Sequence, residues 1–292
     1  MKPVRSPPEE RTGFHTPVSS LVFADDFFYF ASMQYTRIQY AAERRVARIT
    51  LNRPEKRNAL DDVMVQELTA AVAAAGRDPS VKALRLDANG TAFCAGADLE
   101  YLQRLSTFDH EENLADSRRL SGLFRALYEL RKPTVAVVDG PALAGGCGLA
   151  AVADFVLCSE ERAVFGCPEV RIGFIPAIVA LFLVKRLGEG RARELVVRGH
   201  TVNAREALAI GLATAVVPSA ELEPTARQLL DELLTENSLL AMGLCKELLS
   251  KLQGMNPGDA LDYAANMNAA ARMTSDCKQG VGAFLDKRKV EW

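Results

Sequence analysis

The chain has 292 residues, of which 49% are hydrophobic and 25% charged, with a formal net charge of −2. This composition is ordinary for a soluble globular protein long enough to bury a sizeable core. The charge balance excludes a global basic field that would draw the chain to nucleic acid or anionic lipid.

No stretch approaches the roughly 18 uninterrupted apolar residues of a membrane helix. The apolar patch at 21–31 is broken by Asp25 and Asp26 and lacks the layout of a secretory signal. The six cysteines (Cys94, Cys147, Cys158, Cys167, Cys245 and Cys277) form no C-x-x-C pair and sit mostly in apolar runs. They read as small buried hydrophobes of a reducing compartment, not as disulfides or metal ligands. Basic runs such as Arg118-Arg119 and Lys287-Arg288-Lys289 read as solvated faces. A cytoplasmic protein with neither membrane nor nucleic-acid partners is expected.

In chain order, residues 1–34 read as a poorly ordered extension: Pro3, Pro7, Pro8 and Pro17 with mixed charge argue against regular structure. From Thr36 the pattern becomes βα. Residues 38–40 and 46–51 alternate like two antiparallel strands, and Asn52-Arg53-Pro54 turns the chain. A helix carrying Leu60, Val63, Met64, Leu68 and Ala71 on one face follows, ending near Gly76. A strand is predicted at 81–86, then a loop bracketed by Gly90 and Gly96. Asp98 opens a helical stretch, a longer helix spans 117–130, and Pro133 stops it before a buried strand at 134–138.

Next comes the stretch around which the chain is organised. Gly140 and the pair Gly145-Gly146 open a small-residue helix; a strand at 155–158 and a short return through Phe165 then deliver one acid, Glu169. Helix N-termini present unpaired N–H groups and the positive end of the dipole, and glycine lets a ligand approach them closely. Gly-Gly serves equally well for tight packing alone. Beyond Pro176, helices are predicted at 178–187, 190–197 and 204–210, with a short strand at 214–217. From Ala220 the chain is nearly all helix, with Ser238 capping 239–252, Asn256-Pro257 starting the next helix and Ser275 the last. The core is expected to span 35–230 and a C-terminal helical region 231–292.

Several chemistries are missing: no G-x-S-x-G, P-loop, H-E-x-x-H or G-x-G-x-x-G motif follows a strand. His15, His110 and His200 lie far in sequence from the Gly-rich loops and read as surface residues, and no metal site is found. What remains are two loops of one type, Ala92-Phe93-Cys94-Ala95-Gly96-Ala97-Asp98-Leu99 and Gly140-Pro141-Ala142-Leu143-Ala144-Gly145-Gly146-Cys147-Gly148-Leu149.

With these loops, the order of Leu51-Asn52-Arg53-Pro54-Glu55-Lys56-Arg57-Asn58-Ala59-Leu60, Pro168-Glu169 before Ile172-Gly173, and Phe284-Leu285-Asp286-Lys287-Arg288-Lys289 resembles the enoyl-CoA hydratase/isomerase (crotonase) superfamily from about Thr36 onward. The resemblance implies an α/β spiral of ββα repeats with C-terminal helices that assemble trimers, often paired into hexamers. It implies that the N–H groups of Ala97 and Gly145 form an oxyanion hole for a thioester carbonyl, with Glu169 as the acid–base. It also implies coenzyme A contacts through Lys56, Arg57, Ala59 and Ala95, with Phe284 and Lys287 reaching a neighbouring subunit's nucleotide. Coenzyme A enters as part of the substrate, and no prosthetic group is expected. Main-chain donors of this kind explain loops rich in Gly and Ala; each contributes about 3–4 kcal/mol to an oxyanion in a dry site.

The sequence departs from the hydratase pattern at one point: the first of two catalytic glutamates falls at Gly148. Hydration needs a base for water and an acid for the α-carbon, and here Glu169 would serve as both. Moving a double bond from the 3,4 to the 2,3 position needs one carboxylate only. Hydration of a 2-enoyl-CoA is expected, on a resemblance to bacterial chains described as hydratases. The isomerase and a catalytically silent acyl-CoA-binding protein remain as alternatives. Asp98 reads as a helix-start acid near the dipole. The apolar neighbours of Glu169 (Phe165, Val170, Ile172, Phe174 and Ile175) are expected to desolvate it and raise its pKa.

Overall fold

Two sheets carry the chain. In the computed structural model, which describes residues 35–290 and 292, the larger sheet has six strands and the smaller has three. The extension expected at 1–34 lies outside the described residues.

β1 (Ile38–Glu43) and β2 (Val46–Leu51) pair antiparallel, as their alternation predicts. Every later neighbour in the large sheet is parallel: β3 (Ala83–Ala88), β4 (Thr134–Val138), β6 (Phe155–Ser159) and β9 (Ala215–Val217). The small sheet is built from the returns: β5 (Pro141–Leu143) lies parallel to β7 (Val164–Gly166), which pairs antiparallel with β8 (Thr201–Asn203). Two turns of the chain, β4–β5 and β6–β7, thus give one strand to each sheet before the next helix, the ββα repeat expected from the resemblance.

The middle of the large sheet is covered on both faces, so β4 and β6 read as nearly continuous apolar runs. Ala136 and Val138 of β4 join the main core, and Val135 and Val137 face the opposite way. The main core takes in α1 (Asp62–Arg77), α3 (His110–Glu129), α4 (Gly145–Val152) and α5 (Ala177–Leu187). The other face is covered by α8 (Ser219–Glu236) through Leu222, Leu230, Leu233 and Leu234. Burying each of these leucines contributes about 1.5–3 kcal/mol. The division expected after 230 therefore falls inside a helix that packs on the core sheet. Around the core run α2 (Leu99–Leu105), α6 (Glu189–Arg198) and α7 (Ala204–Ile210). The chain closes with α9 (Leu239–Leu252), α10 (Pro257–Met273) and α11 (Ser275–Leu285).

Two elements differ from the sequence reading for identifiable reasons. The helix expected from 117 starts at His110, because Asp109 and Glu112 form a capping box: Glu112 N donates to Asp109 Oδ1 (2.8 Å) and Asp109 N to Glu112 Oε2 (3.0 Å). The strand expected at 81–86 runs at Ala83–Ala88, taking in two buried charges. They are matched: Arg85 Nε donates to Asp87 Oδ2 (2.8 Å), Arg85 Nη2 to Glu223 Oε2 (2.6 Å) and Thr50 Oγ1 to Asp87 Oδ1 (2.6 Å). Charges satisfied this way occupy a strand without an isolated desolvation penalty. β5 and β8, each three residues long, were not predicted. No described helix is long and apolar enough to cross a membrane.

Candidate active site

Three segments converge around the two Gly-rich loops. Cys94 N donates to Pro141 O (3.1 Å) and Leu143 N to Cys94 O (2.9 Å), a short parallel bridge that lays the first loop along β5. α4 then packs directly on that loop: a Cβ at Gly146 would lie 2.2 Å from Cys94 O, so only glycine permits this approach. A Cβ at Gly145 would lie 4.0 Å from Gly96 Cα, which brings the two expected donor segments side by side.

The planar trans peptide fixes where their N–H groups point. Gly96 O accepts from Leu60 N (2.7 Å), so the N–H of Ala97, on the other side of the same peptide, points away from Leu60. Asp98 N donates to Leu60 O (2.9 Å), completing the bridge around Ala97. Similarly, Ala144 O accepts from Gly148 N (3.1 Å), so the N–H of Gly145 points out of the start of α4, where the dipole is positive. Ala144 itself is strained, at φ 50° and ψ −121°. A non-glycine residue there costs about 1–3 kcal/mol and persists only where its surroundings over-determine it. Ala144 N donates to Gly166 O (2.8 Å), one of the contacts that hold it.

The same pairing delivers the acid. Leu143 is opposite Gly166 in the β5–β7 register, so Gly145 and Glu169 both emerge just beyond one end of adjacent parallel strands. Glu169 lies in a single 3-10 turn, Pro168–Ile172, closed by Gly173 in the left-handed region. Its side chain is buried and its Oε2 has no hydrogen-bond partner among the described residues. Desolvation pushes its pKa above the ordinary glutamate range, with one backbone hydrogen bond opposing. The direction and the cause, burial, are the expected ones. Ile172, Phe174 and Ile175 are more than half exposed, and Phe165 alone of the five expected is fully buried.

At Gly148 the structure fills the space a side chain would need. A Cβ there would lie 2.6 Å from Val179 Cγ2 and 2.8 Å from Phe124 Cε1. Phe124 is fully buried and stacked on Phe182, ring centroids 5.4 Å apart. Nearby thiols offer no alternative nucleophile: burial pushes Cys94 up to about 12, and the hydrogen bond with Cys147, followed by burial, raises Cys167 further. His110 is exposed, as expected, whereas His200 is half-buried, its Nδ1 without a hydrogen-bond partner among the described residues.

The segment expected to hold coenzyme A abuts the first loop. Lys56 ends the 3-10 turn Pro54–Lys56, exposed, with its Nζ 2.5 Å from Glu100 Oε1. That hydrogen bond holds the ammonium above the ordinary lysine value. Arg57 is exposed and left-handed (φ 53°), and its carbonyl accepts from Ala95 N (3.0 Å). Ala59 is buried, and Asn58 clamps the turn by donating to Asn89 O and Ala92 O, both at 2.8 Å. Lys56, Arg57, Ala59, Ala95 and Ala97 therefore form one cluster. Phe284 and Lys287 lie elsewhere in the chain, at and just beyond the end of α11, which packs on α9 and α10. Phe284 is 82% exposed, a bare apolar surface at the end of the chain. Asp98 is the N-cap of α2, as expected, accepting from Glu100 N (2.8 Å) and Tyr101 N (3.1 Å). Burial works against its charge, but the hydrogen bonds from the Tyr101 amide and Arg53 hold its pKa below the usual range. Arg53, Ala144, Phe124 and Val179 were not singled out as site residues in the sequence; each matters through a contact made only in the fold.

Known proteins resemble the chain over this whole region. The profile of the family described as "Enoyl-CoA hydratase/isomerase" matches residues 41–292. A Thermus thermophilus relative, named provisionally as an enoyl-CoA hydratase, is 43% identical over 243 residues, covering 83% of this chain and 95% of its own. The crotonyl-CoA hydratase of Syntrophomonas wolfei is 34% identical over 262 residues, covering 89% of this chain and 99% of its own. The crystal structure of an enoyl-CoA hydratase from Shewanella pealeana superposes with a TM-score of 0.84 at 32% identity, covering 89% of this chain and 97% of that one. The two sheets, the paired loops and the extent of these matches lead to one conclusion: the chain belongs to the enoyl-CoA hydratase/isomerase family and has the crotonase fold.

Proposed function

We propose that this protein adds water reversibly across the double bond of a 2-enoyl-CoA, with Glu169 as its only acid–base. The observation that carries this reading is the buried Glu169 carboxyl with its unpartnered Oε2, delivered beyond the same strand ends as the Gly145 N–H. A desolvated carboxyl with a raised pKa gives and takes a proton near neutrality. In the forward direction Glu169 takes a proton from water while the hydroxyl adds to C3. The electron pair moves through C2 to the thioester oxygen, held by the N–H groups of Ala97 and Gly145. The protonated Glu169 then gives its proton to C2, so one water is consumed and the carboxylate is restored. Lys56 and Arg57 meet the phosphates of coenzyme A alongside the Ala59 and Ala95 backbone; Phe284 and Lys287 act on the nucleotide bound to a second copy of the chain. The exposed Leu261, Met273, Phe284 and Leu285 on the last helices support self-association as a trimer or hexamer. The crotonyl-CoA hydratase activity named for the Syntrophomonas relative makes crotonyl-CoA the first substrate to try.

A second reading is favoured by the closed wall at Gly148. With no second carboxylate, Glu169 removes an α-proton from a 3-enoyl-CoA and returns it at the γ-carbon, shifting the double bond. Crotonyl-CoA and trans-3-hexenoyl-CoA are to be assayed with the parent and with Glu169→Gln. Loss of crotonyl-CoA absorbance that depends on Glu169 supports hydration. Turnover of the 3-enoyl substrate alone replaces it with isomerisation. Tight acyl-CoA binding without turnover of either substrate or of a branched enoyl-CoA panel overturns both in favour of a silent binder.

A further inference from the structure

The turn that precedes α1 holds a guanidinium under the first donor loop. Arg53 has a side chain only 10% exposed. Its Nη1 donates to Asp98 Oδ2 (2.6 Å) and Ala59 O (3.2 Å) and lies 3.4 Å from Asp61 Oδ2. All three partners are tied to one short stretch of backbone. Ala59 precedes Leu60, whose N–H and carbonyl bracket Ala97; Asp98 follows Ala97 and caps α2; Asp61 follows Leu60 and caps α1 by accepting from Met64 N (2.8 Å). The arginine is itself fixed, since its amide donates to Asn58 Oδ1 (2.8 Å) and Asn58 is fully buried. Two N-cap carboxylates and a carbonyl therefore converge on one buried cation. Without it, Asp61 keeps its ion pair with Arg37 Nε (3.0 Å), whereas Asp98, beside the bridge that aims the Ala97 N–H, loses its 2.6 Å salt bridge.

We propose that Arg53 is a positioning residue for the reaction: it aims the Ala97 N–H at the thioester oxygen by clamping Asp98 and Ala59 on either side of the Leu60–Ala97 bridge. This rests on the oxyanion role given to Ala97 above. Arg53 touches neither substrate nor proton in this role. Its effect falls on the transition state, where negative charge on the oxygen is greatest, more than on substrate binding.

The test uses the full chain as Arg53→Met, Arg53→Lys and Asp98→Asn. It measures kcat and KM on whichever enoyl-CoA the parent turns over, and the absorption band of bound 4-dimethylaminocinnamoyl-CoA, which moves to longer wavelength as its carbonyl is polarised. Arg53→Met is expected to lower kcat roughly 10–100-fold with KM within about threefold, short of the loss of a whole donor. The bound band is expected to shift less than in the parent. Arg53→Lys, which restores one cation to the same partners, recovers part of both effects. Should Arg53→Met fail to fold by circular dichroism, Asp98→Asn keeps an oxygen for the α2 cap while removing the charge that Arg53 grips. Parental kcat and band position in either folded variant overturn the proposal. A parent that binds the chromophore with no band shift refutes the oxyanion reading itself, and the role of Arg53 with it.

Discussion

Gly148→Ala tests whether the wall at the missing acid is rigid. The added carbon would sit 2.6 Å from Val179 Cγ2 and 2.8 and 2.9 Å from Phe124 Cε1 and Cζ, where carbon–carbon contacts favour about 3.5–4.0 Å. Phe124 has no free direction to move: it is stacked on Phe182, whose ring meets the edge of Tyr128 at 5.6 Å. Overpacking of this kind costs about 1–3 kcal/mol. Alanine regains about 1 kcal/mol of helix propensity over glycine in α4, leaving a net loss of about 1 kcal/mol. Val179→Ala removes one of the overlapping groups, so the pair is expected to couple favourably by about 1 kcal/mol in a double-mutant cycle. Equilibrium urea unfolding of all four chains at one protein concentration measures both numbers. Stabilisation by Gly148→Ala, with additive effects of the two substitutions, would refute the wall. The functional corollary is that Gly148→Glu alone installs no second acid. It drives a carboxylate against Phe124 and Val179 without a partner, so stability and turnover both fall.

The raised pKa of Glu169 gives a pH test. A carboxyl whose folded pKa lies above its unfolded value adds stability that is fully present below the unfolded pKa and is lost as pH rises through the folded one. Glu169→Gln should therefore gain stability relative to the parent as pH climbs above the ordinary glutamate range, while turnover falls about 10²–10⁴-fold; parallel pH–stability curves would count against the shift. Ala144→Gly should stabilise the chain by about 1 kcal/mol, since glycine adopts φ 50°, ψ −121° without the penalty borne by alanine. A destabilisation by the same amount, the ordinary effect of losing alanine, would mean that the backbone there is not strained.

Much of the framework is local and was legible. Antiparallel β1 and β2, helix α7 at Ala204–Ile210, strand β4 at Thr134–Val138 and the Ser238 cap of α9 follow from alternation, an apolar run and a side chain reaching its own backbone three residues on. The two Gly-rich loops were legible too: the close approach of Gly146 to Cys94 O needs glycine, and that glycine is visible in the string.

What sequence alone determined was therefore a set of residues: two Gly- and Ala-rich loops, the acid Glu169 beyond them, and no side chain at Gly148. The tertiary structure decided what surrounds them. The rings that close the Gly148 position come from Phe124 in α3 and the methyl from Val179 in α5, some 20–30 residues away in opposite directions along the chain. The burial of Glu169 likewise could not be read from its own neighbours, most of which face solvent. The clamp of Arg53 on Asp98 joins residues 45 positions apart. Strength of an electrostatic or steric effect depends on distance and on exclusion of water, and neither is a property of sequence spacing; both exist only once the two sheets and their helices have closed.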